Sequence, residues 1–186
     1  MTSSGGRPRS EEARLAVLHA VDDLLVEVGY AAMTMKSVAE RAGVSRATVY
    51  RWWSTKAEIL FEASVLDSEK ELAVAATGDP LADLTAYLEA LAEFLRCSPA
   101  GIAYRVLLTE AAADSAVAEL LGSKDVLGDS ARTVLDRVLP DLDPSTADRA
   151  AAALVGPTFF WVTSGRDPAR LDARELAEAF LRSAGR

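Results

Sequence analysis

The stretch from Thr34 to Trp53 reads TMKSVAERAGVSRATVYRWW and divides into two short helical segments that meet at Gly43. Glycine permits the left-handed backbone that ends the first segment, and Ser45 is placed to cap the second. Ala39 is small at the point where the two helices cross closely. The apolar side chains that wedge them together are Val38, Val44 and Val49. This spacing predicts a helix-turn-helix, a motif whose second helix enters the major groove of DNA.

The second helix of this motif is expected to present one face outward and one inward. Val49 and Trp53 face the core. The outward side chains are Arg46, Ala47, Thr48, Tyr50 and Arg51. Gly43 alone would fit an ordinary helix terminator between two packed helices. The joint pattern of Ala39, Gly43, Val44, Ser45, Val49, Tyr50 and Lys56 is more specific and favours DNA binding.

The distribution of charge agrees with that interpretation, although the total does not. The 186 residues carry 28 acidic side chains against 20 Lys plus Arg, a net charge of -8 that argues against nucleic-acid binding. Residues 1–60 hold 8 basic and 7 acidic side chains, a net charge of +1. The remaining residues therefore carry a net charge of -9. The acidity belongs to the C-terminal two-thirds of the chain, and such an asymmetry points to a local binding face.

Helical periodicity continues on both sides of the motif, and no segment alternates apolar and polar residues as a strand would. Ser10 is the expected N-cap of a first helix that Gly29 ends. That helix is expected to bury Leu15, Leu18, Val21, Leu25 and Val28. Later helices are expected at about 55–76, 80–97, 102–112, 115–121, 124–139, 145–164 and 172–183. The predicted fold is all-α: a disordered arm at 1–10, a three-helix DNA-binding domain at 11–56 and a larger helical domain at 57–186.

Several functional classes find no support in the composition. A single cysteine, Cys97, excludes an intramolecular disulfide and a cysteine-based zinc site. His19 is the only histidine and has no metal-ligand or catalytic companion, so we expect no metal, no cofactor and no enzymatic activity. The chain shows no apolar secretory signal and no stretch of about 20 apolar residues. These absences predict a cytoplasmic protein without a membrane partner.

The segment from Glu11 to Leu60 resembles the N-terminal domain of the TetR family of bacterial transcriptional regulators. The residues that carry the resemblance are Gly29-Tyr30, Thr34, Val38-Ala39, Ala42-Gly43-Val44-Ser45, Thr48-Val49-Tyr50, Lys56 and Ile59-Leu60. Trp53 matches the family's core aromatic residue, whereas Trp52 replaces a histidine and Ser54 a frequent proline. Two roles for Trp52 therefore stay open: packing against the DNA backbone, or covering the domain core.

The resemblance implies a DNA-contacting role for each matched position. Arg46 and Ala47 would approach base edges, by hydrogen bonds and by contact with a thymine methyl respectively. Phosphates would be gripped by Thr48, Tyr50 and Lys56. Lys36 would touch the backbone or an adjacent base, and Arg51 either one. Thr34 and Ser45 join this predicted DNA-binding surface. In the arm, Arg7 and Arg9 would reach a minor groove or phosphates, unless the arm is merely a solvated tail.

The resemblance also implies that the C-terminal domain binds a small-molecule effector and forms the homodimer. The candidate pocket residues are Tyr87, Leu91, Phe94, Tyr104, Leu108, Phe159 and Phe160, any of which can equally be core. The segment 150–164 is apolar on nearly every face, and a helix of that kind must be buried on every face. The predicted dimer contacts are Leu154, Phe159, Trp161, Leu176, Ala179, Phe180 and Ser183. Pro157 should kink the helix that carries the first three.

Three functions follow from these features. The first is a dimeric transcriptional regulator, a ligand-responsive repressor by family habit, that binds a near-palindromic double-stranded operator and is released by an effector. The second is an interaction protein that keeps the scaffold without using it on DNA, and the third is an α-helical enzyme. The cations around one exposed helix argue against the second, and the missing catalytic constellations argue against the third.

Overall fold

The protein is all-α, as predicted, in a computed structural model that describes residues 7–167 and 170–184, with side chains from residue 11 onward. The helices are α1 (Arg7–Ala32), α2 (Met35–Arg41), α3 (Arg46–Tyr50), α4 (Lys56–Glu71), α5 (Pro80–Cys97), α6 (Pro99–Glu110), α7 (Ser115–Gly122), α8 (Val126–Val138), α9 (Pro144–Thr163) and α10 (Ala173–Ala184). These described ranges contain no strand and no helix long and apolar enough to cross a membrane.

The chain forms two compact units. The N-terminal unit comprises Met1–Leu66 and Ala103–Ser123, and the C-terminal unit comprises Asp67–Ile102 and Lys124–Arg186. The division therefore falls inside α4 and α6 rather than at the predicted boundary between residues 56 and 57. Sequence patterns mark helix ends, and a unit boundary inside a continuous helix leaves no such mark.

In the N-terminal unit, α2 packs against both α1 and α3. Leu18, Val21 and Leu25 of α1 are buried as predicted. Leu15 is only half-buried, and Val28 is 50% exposed, contrary to prediction. The reason lies next to Val28: the backbone of Gly29 leaves the helical region (φ 77°, ψ 164°), which ends the regular part of α1 and its buried stripe together.

The start of α1 differs from the prediction. The helix begins at Arg7, so Ser10 lies inside it and is not its N-cap. Residues 7–10 of the expected disordered arm thus have a helical backbone. Residues 1–6 and the side chains of Arg7 and Arg9 lie outside the described part of the chain. The expected DNA contacts of these two arginines stay a prediction.

In the C-terminal unit, α5 packs against α8, α9 and α10. Asp79 caps α5: its carboxylate accepts hydrogen bonds from the N–H groups of Leu81 and Ala82. The expected interruption at 98–101 shrinks to Ser98, whose hydroxyl accepts hydrogen bonds from the first N–H groups of α6. Gly101 lies within α6. A Cβ atom at this position would stand 1.9 Å from the carbonyl oxygen of Phe94, so only glycine fits. Its glycine reflects close helix packing, not a loop.

The predicted pocket residues do not gather around one cavity. Tyr87, Leu91 and Phe94 fill the core of the C-terminal unit and are at most 1% exposed. Tyr104 and Leu108 belong to the other unit, where each is half-buried. On α9, Phe159 is half-buried and Phe160 is 58% exposed. Four cavities among the described residues are lined by other side chains.

The predicted dimer residues also divide by burial. Leu154 and Phe180 are buried within the protomer, at 2% and 8% exposure, so their side chains are not available to a partner. Phe159, Trp161 and Leu176 are half-buried, while Ala179 and Ser183 are exposed. The correction has a simple cause: an apolar helix position faces either the protomer core or outward, and composition alone does not distinguish the two.

Candidate nucleic-acid interface

Two hydroxyl side chains start the helices of the motif. Thr34 caps α2: its hydroxyl accepts from the N–H of Ser37 (3.1 Å), and the Ser37 hydroxyl accepts from the N–H of Thr34 (3.0 Å). Ser45 caps α3 by accepting from the N–H of Thr48 (3.1 Å), and the two hydroxyls lie 2.9 Å apart. Each pair satisfies backbone donors that a helix start leaves unpaired. Both short helices therefore have defined first turns.

The turn between them is fixed by backbone conformation and by packing. Gly43 adopts φ +67°, the left-handed region predicted for it. The chain then turns back, with the N–H of Val44 donating to the carbonyl oxygen of Ala39 (3.1 Å). Val38 and Val49 are fully buried on the two helices, while Val44 is only half-buried. Close packing at these positions fixes the orientation of α3 relative to α2.

The outward face of α3 is as predicted. Arg46, Ala47 and Arg51 are exposed, and Tyr50 is 49% exposed. Thr48 is half-buried because its hydroxyl lies against the Ser45 cap. Thr34, Lys36 and Ser45 are exposed on the same motif. α3 ends at Tyr50 rather than at Trp53, so Arg51 is the C-terminal cap residue.

The cations of this unit differ in what they already contact. Arg41 binds both carboxylate oxygens of Glu27 (2.8 and 2.5 Å), which holds the pKa of Glu27 below its usual value. Arg14 pairs with Glu11 and Glu62. The Lys36 ammonium lies 3.6 Å from a carboxylate oxygen of Glu40, and both side chains are 67% exposed. Among the residues that the structure describes, Arg46 and Arg51 pair with no carboxylate.

Lys56 makes a different contact from the one expected. Its ammonium donates to the carbonyl oxygens of Tyr30 (2.6 Å) and Met33 (3.1 Å), and it lies 4.0 Å from the centre of the Tyr30 ring. Those carbonyls stand at the end of α1, where backbone acceptors lack helical partners. Lys56 therefore joins the start of α4 to the end of α1. A phosphate contact by Lys56 stays a prediction, and only its remaining N–H would be free for it.

The tandem tryptophans form a layered contact. Trp53 is buried and its indole N–H donates to the Glu62 carboxylate (2.7 Å). Trp52 is half-buried and packs edge to face on Trp53, with ring centres 5.4 Å apart. The guanidinium of Arg51 lies over the Trp52 ring, 4.8 Å from its centre. Trp52 thus contacts the core with one part and an exposed cation with another.

Sequence reasoning missed the supporting roles of Tyr30 and Glu62. Tyr30 lies against the Lys56 ammonium, and burial with the nearby carboxylates of Glu110 and Asp114 raises the pKa of its phenol. Glu62 links the Trp53 indole on one side to Arg14 on the other. Both act through contacts distant in sequence, so no local spacing marks them.

Residues 17–63 match the family model described as bacterial regulatory proteins, tetR family, a match that spans the whole motif. The helix-turn-helix segment thus matches the TetR family. It is 39% identical over 119 residues to the uncharacterized HTH-type transcriptional regulator YdeS of Bacillus subtilis, which covers 64% of this chain and 60% of that protein. This chain thus spans less than two thirds of that relative's length.

Two further comparisons extend over most of the chain. The HTH-type transcriptional repressor KstR of Mycolicibacterium smegmatis is 28% identical over 171 residues, covering 85% of this chain and 80% of KstR. The crystal structure of the TetR family transcription regulator SCO0332 superposes with a TM-score of 0.70 at 28% identity, covering 92% of this chain and 97% of that one. Residues 17–63 therefore carry a helix-turn-helix similar to that of these transcriptional regulators, with α3 as its second helix.

Proposed function

We propose that the protein is a homodimeric transcriptional repressor that binds a near-palindromic operator and is released by a small-molecule effector. The observation that carries the DNA-binding part is the selective freedom of the α3 cations. Arg14, Arg41 and Lys56 are occupied by partners within the unit, whereas Arg46 and Arg51 are exposed and pair with no carboxylate of the described residues. The similarity to KstR, named as a repressor, supports repression rather than activation.

Base reading is assigned to the start of α3. Arg46 is its first residue and Ala47 its second, and the N-terminal residues of a recognition helix are the ones that contact base edges. An arginine there can donate two hydrogen bonds to guanine, and an alanine methyl can contact the methyl group of thymine. Tyr50 and Lys36 are exposed beside them and suit phosphate contacts.

The homodimer is assigned to the outward face of α9. Phe160 is 58% exposed, and the Arg166 guanidinium lies 4.6 Å from its ring centre and 5.3 Å from that of Trp161. Ala152 and Ala153 are exposed earlier on the same helix. A second copy would cover this apolar surface. A dimer that reads a near-palindromic operator needs its two recognition helices about one DNA turn, or a multiple, apart.

The effector is assigned to a cavity of about 230 Å³ in the C-terminal unit. Leu72 and Val126 give it apolar walls, and Ser130 supplies a hydroxyl. Ser130 is hydrogen-bonded to the buried Tyr87 hydroxyl (2.9 Å), so a ligand that displaces this bond would disturb the core of α5. The cavity is also lined by Glu69, Lys124 and Asp129, so a small molecule that joins an apolar part to polar or charged groups fits it.

Selection of bound duplexes from a random pool, repeated with candidate effectors, tests the proposal. We expect a near-palindromic sequence to be enriched and an effector to lower its affinity. Effector and operator must weaken each other's binding by the same factor. No enrichment, or an operator affinity that a saturating effector leaves unchanged, would contradict the DNA-binding and the release parts respectively.

A further inference from the structure

The residue pair at the end of α3 has an arrangement that the proposed base contacts do not require. Arg51 lies with its guanidinium over the Trp52 ring, 4.8 Å from the ring centre. Its backbone is fixed as the C-cap of α3, with its N–H directed to the carbonyl oxygens of Ala47 and Val49. A guanidinium held over an aromatic ring can direct N–H donors away from it. These donors match the two oxygens of a phosphate.

Trp52 is held in place through Trp53, which is part of a chain of contacts in the N-terminal unit. Its ring packs edge to face on Trp53, which is 3% exposed. The Trp53 indole donates to Glu62 on α4 (2.7 Å), and Glu62 pairs with Arg14 on α1. The platform beneath Arg51 is thus anchored to two helices outside the recognition helix.

We propose that Trp52 is a positioning residue that orients the Arg51 guanidinium as a phosphate ligand of the operator. The inference rests on the proposed function, because it requires that α3 binds DNA. Phosphate is favoured over a base because Arg51 lies at the C-terminal end of α3, away from the N-terminal residues that reach base edges. The tryptophan then serves neither as a direct DNA contact nor only as core: it restricts a long, flexible side chain before binding.

Double-mutant cycles on the full chain test this coupling, with the selected operator duplex as the probe. Arg51→Ala is expected to weaken binding about tenfold and to lower the salt slope by about 0.9 for each phosphate that the variant no longer neutralises. Trp52→Ala should weaken binding in the parent and cause little further weakening when Arg51 is already alanine. The control cycle combines Trp52→Ala with Arg46→Ala. The losses of operator affinity that the two single changes cause should multiply in the double variant.

Two conservative variants separate positioning from packing. Trp52→Phe keeps an aromatic face beneath the guanidinium, and Trp52→Leu keeps apolar packing without that face. We expect the phenylalanine variant to retain most of the affinity and of the salt slope. The leucine variant should resemble Arg51→Ala. Thermal unfolding should show that both variants are folded.

Equal effects of Trp52→Ala in the presence and absence of Arg51 would overturn the proposal, as would full binding by the leucine variant. If Arg46→Ala still weakens operator binding in those cases, the proposed DNA-binding function stands and only the positioning role fails. If no duplex is selected at all, both are wrong.

Discussion

In the N-terminal unit, the contacts of each cation decide whether it is free to bind DNA, and the number of cations does not. Arg41 and Arg46 are five residues apart on neighbouring helices, yet Arg41 is bound by Glu27 and Arg46 has no carboxylate partner in the described ranges. The outward orientation of Arg46 follows from helical periodicity and was predictable. The pairing of Arg41 and Lys56 was not, because their partners lie 14 to 26 residues away.

Replacing Lys56 with alanine is expected to destabilise the fold. The change leaves the carbonyl oxygens of Tyr30 and Met33 without their charged donor, and hydrogen bonds of this kind contribute about 1.5–3 kcal/mol. Urea unfolding measures the decrease in stability. Lys36→Ala, at an exposed position of α2, is the control and should change the free energy of unfolding by less than about 0.5 kcal/mol. Equal effects of the two variants would contradict the assigned role of Lys56.

At the scale of elements, some helix starts could be predicted from side-chain chemistry and others could not. Thr34, Ser45 and Asp79 cap α2, α3 and α5 as their side-chain chemistry indicates. Ser98 escaped prediction because it stands among Pro and Gly, a composition typical of a loop. Gly101 is small because α6 begins against the α5 backbone, and such a tertiary approach has no local signature.

The turn of the motif makes a direct test of the glycine requirement. Gly43→Ala meets no atom within 4 Å, so its cost is conformational and should be about 1–2 kcal/mol. Gly122→Ala is the control: this glycine also has open space, but it lies within α7 of the same unit and has no positive φ. Chemical denaturation should show Gly43→Ala as destabilising and Gly122→Ala as neutral or stabilising. The same destabilisation at both positions would contradict the assignment.

The start of α9 makes a pH-dependent contribution to stability. Hydrogen bonds from Thr146 and Ser145 lower the pKa of Asp143 to about 2. A lowered pKa in the folded state means that the contribution is present above the ordinary value of 3.8 and lost as the pH falls toward 2. Asp143→Ala should therefore lower the Tm at pH 7, and its difference from the parent should shrink between about pH 4 and pH 2.

The neighbouring acid supplies the control for that measurement. Asp141 is also exposed, two residues earlier, and is not the residue that caps α9. Asp141→Ala should leave the Tm at pH 7 nearly unchanged. A Tm difference for Asp143→Ala that stays constant down to pH 2 would contradict the assigned cause.

For the whole molecule, the net charge of -8 is unevenly distributed along the chain. The residues before 61 are nearly neutral and expose Lys36, Arg46 and Arg51, while the acidic remainder repels a duplex. Weak affinity for non-specific DNA is the expected consequence. The all-α fold and the exposed face of α3 could be predicted from periodicity and motif spacing. The division of the apolar residues on α5, α9 and α10 between the protomer core and its surface could not, because both use the same residue types.

Phe160→Asp is expected to shift the protein toward monomer in sedimentation experiments. The side chain is 58% exposed on α9, so a carboxylate there disturbs a partner more than the protomer core. Val26→Asp provides the control, because Val26 is 65% exposed on α1 and outside the proposed interface. If the two variants sediment alike, the dimer forms through another surface.

The central claim is that the outward face of α3 reads DNA, and Arg46→Ala tests it most directly. Its affinity for the selected operator and for single-base variants is compared with that of Arg174→Ala, an exposed arginine on α10. We expect the Arg46 variant to lose about 1–3 kcal/mol of operator binding and to lose its preference at one base pair in each half-site. The Arg174 variant should bind as the parent does. Unchanged affinity and unchanged base preference in Arg46→Ala would contradict the account.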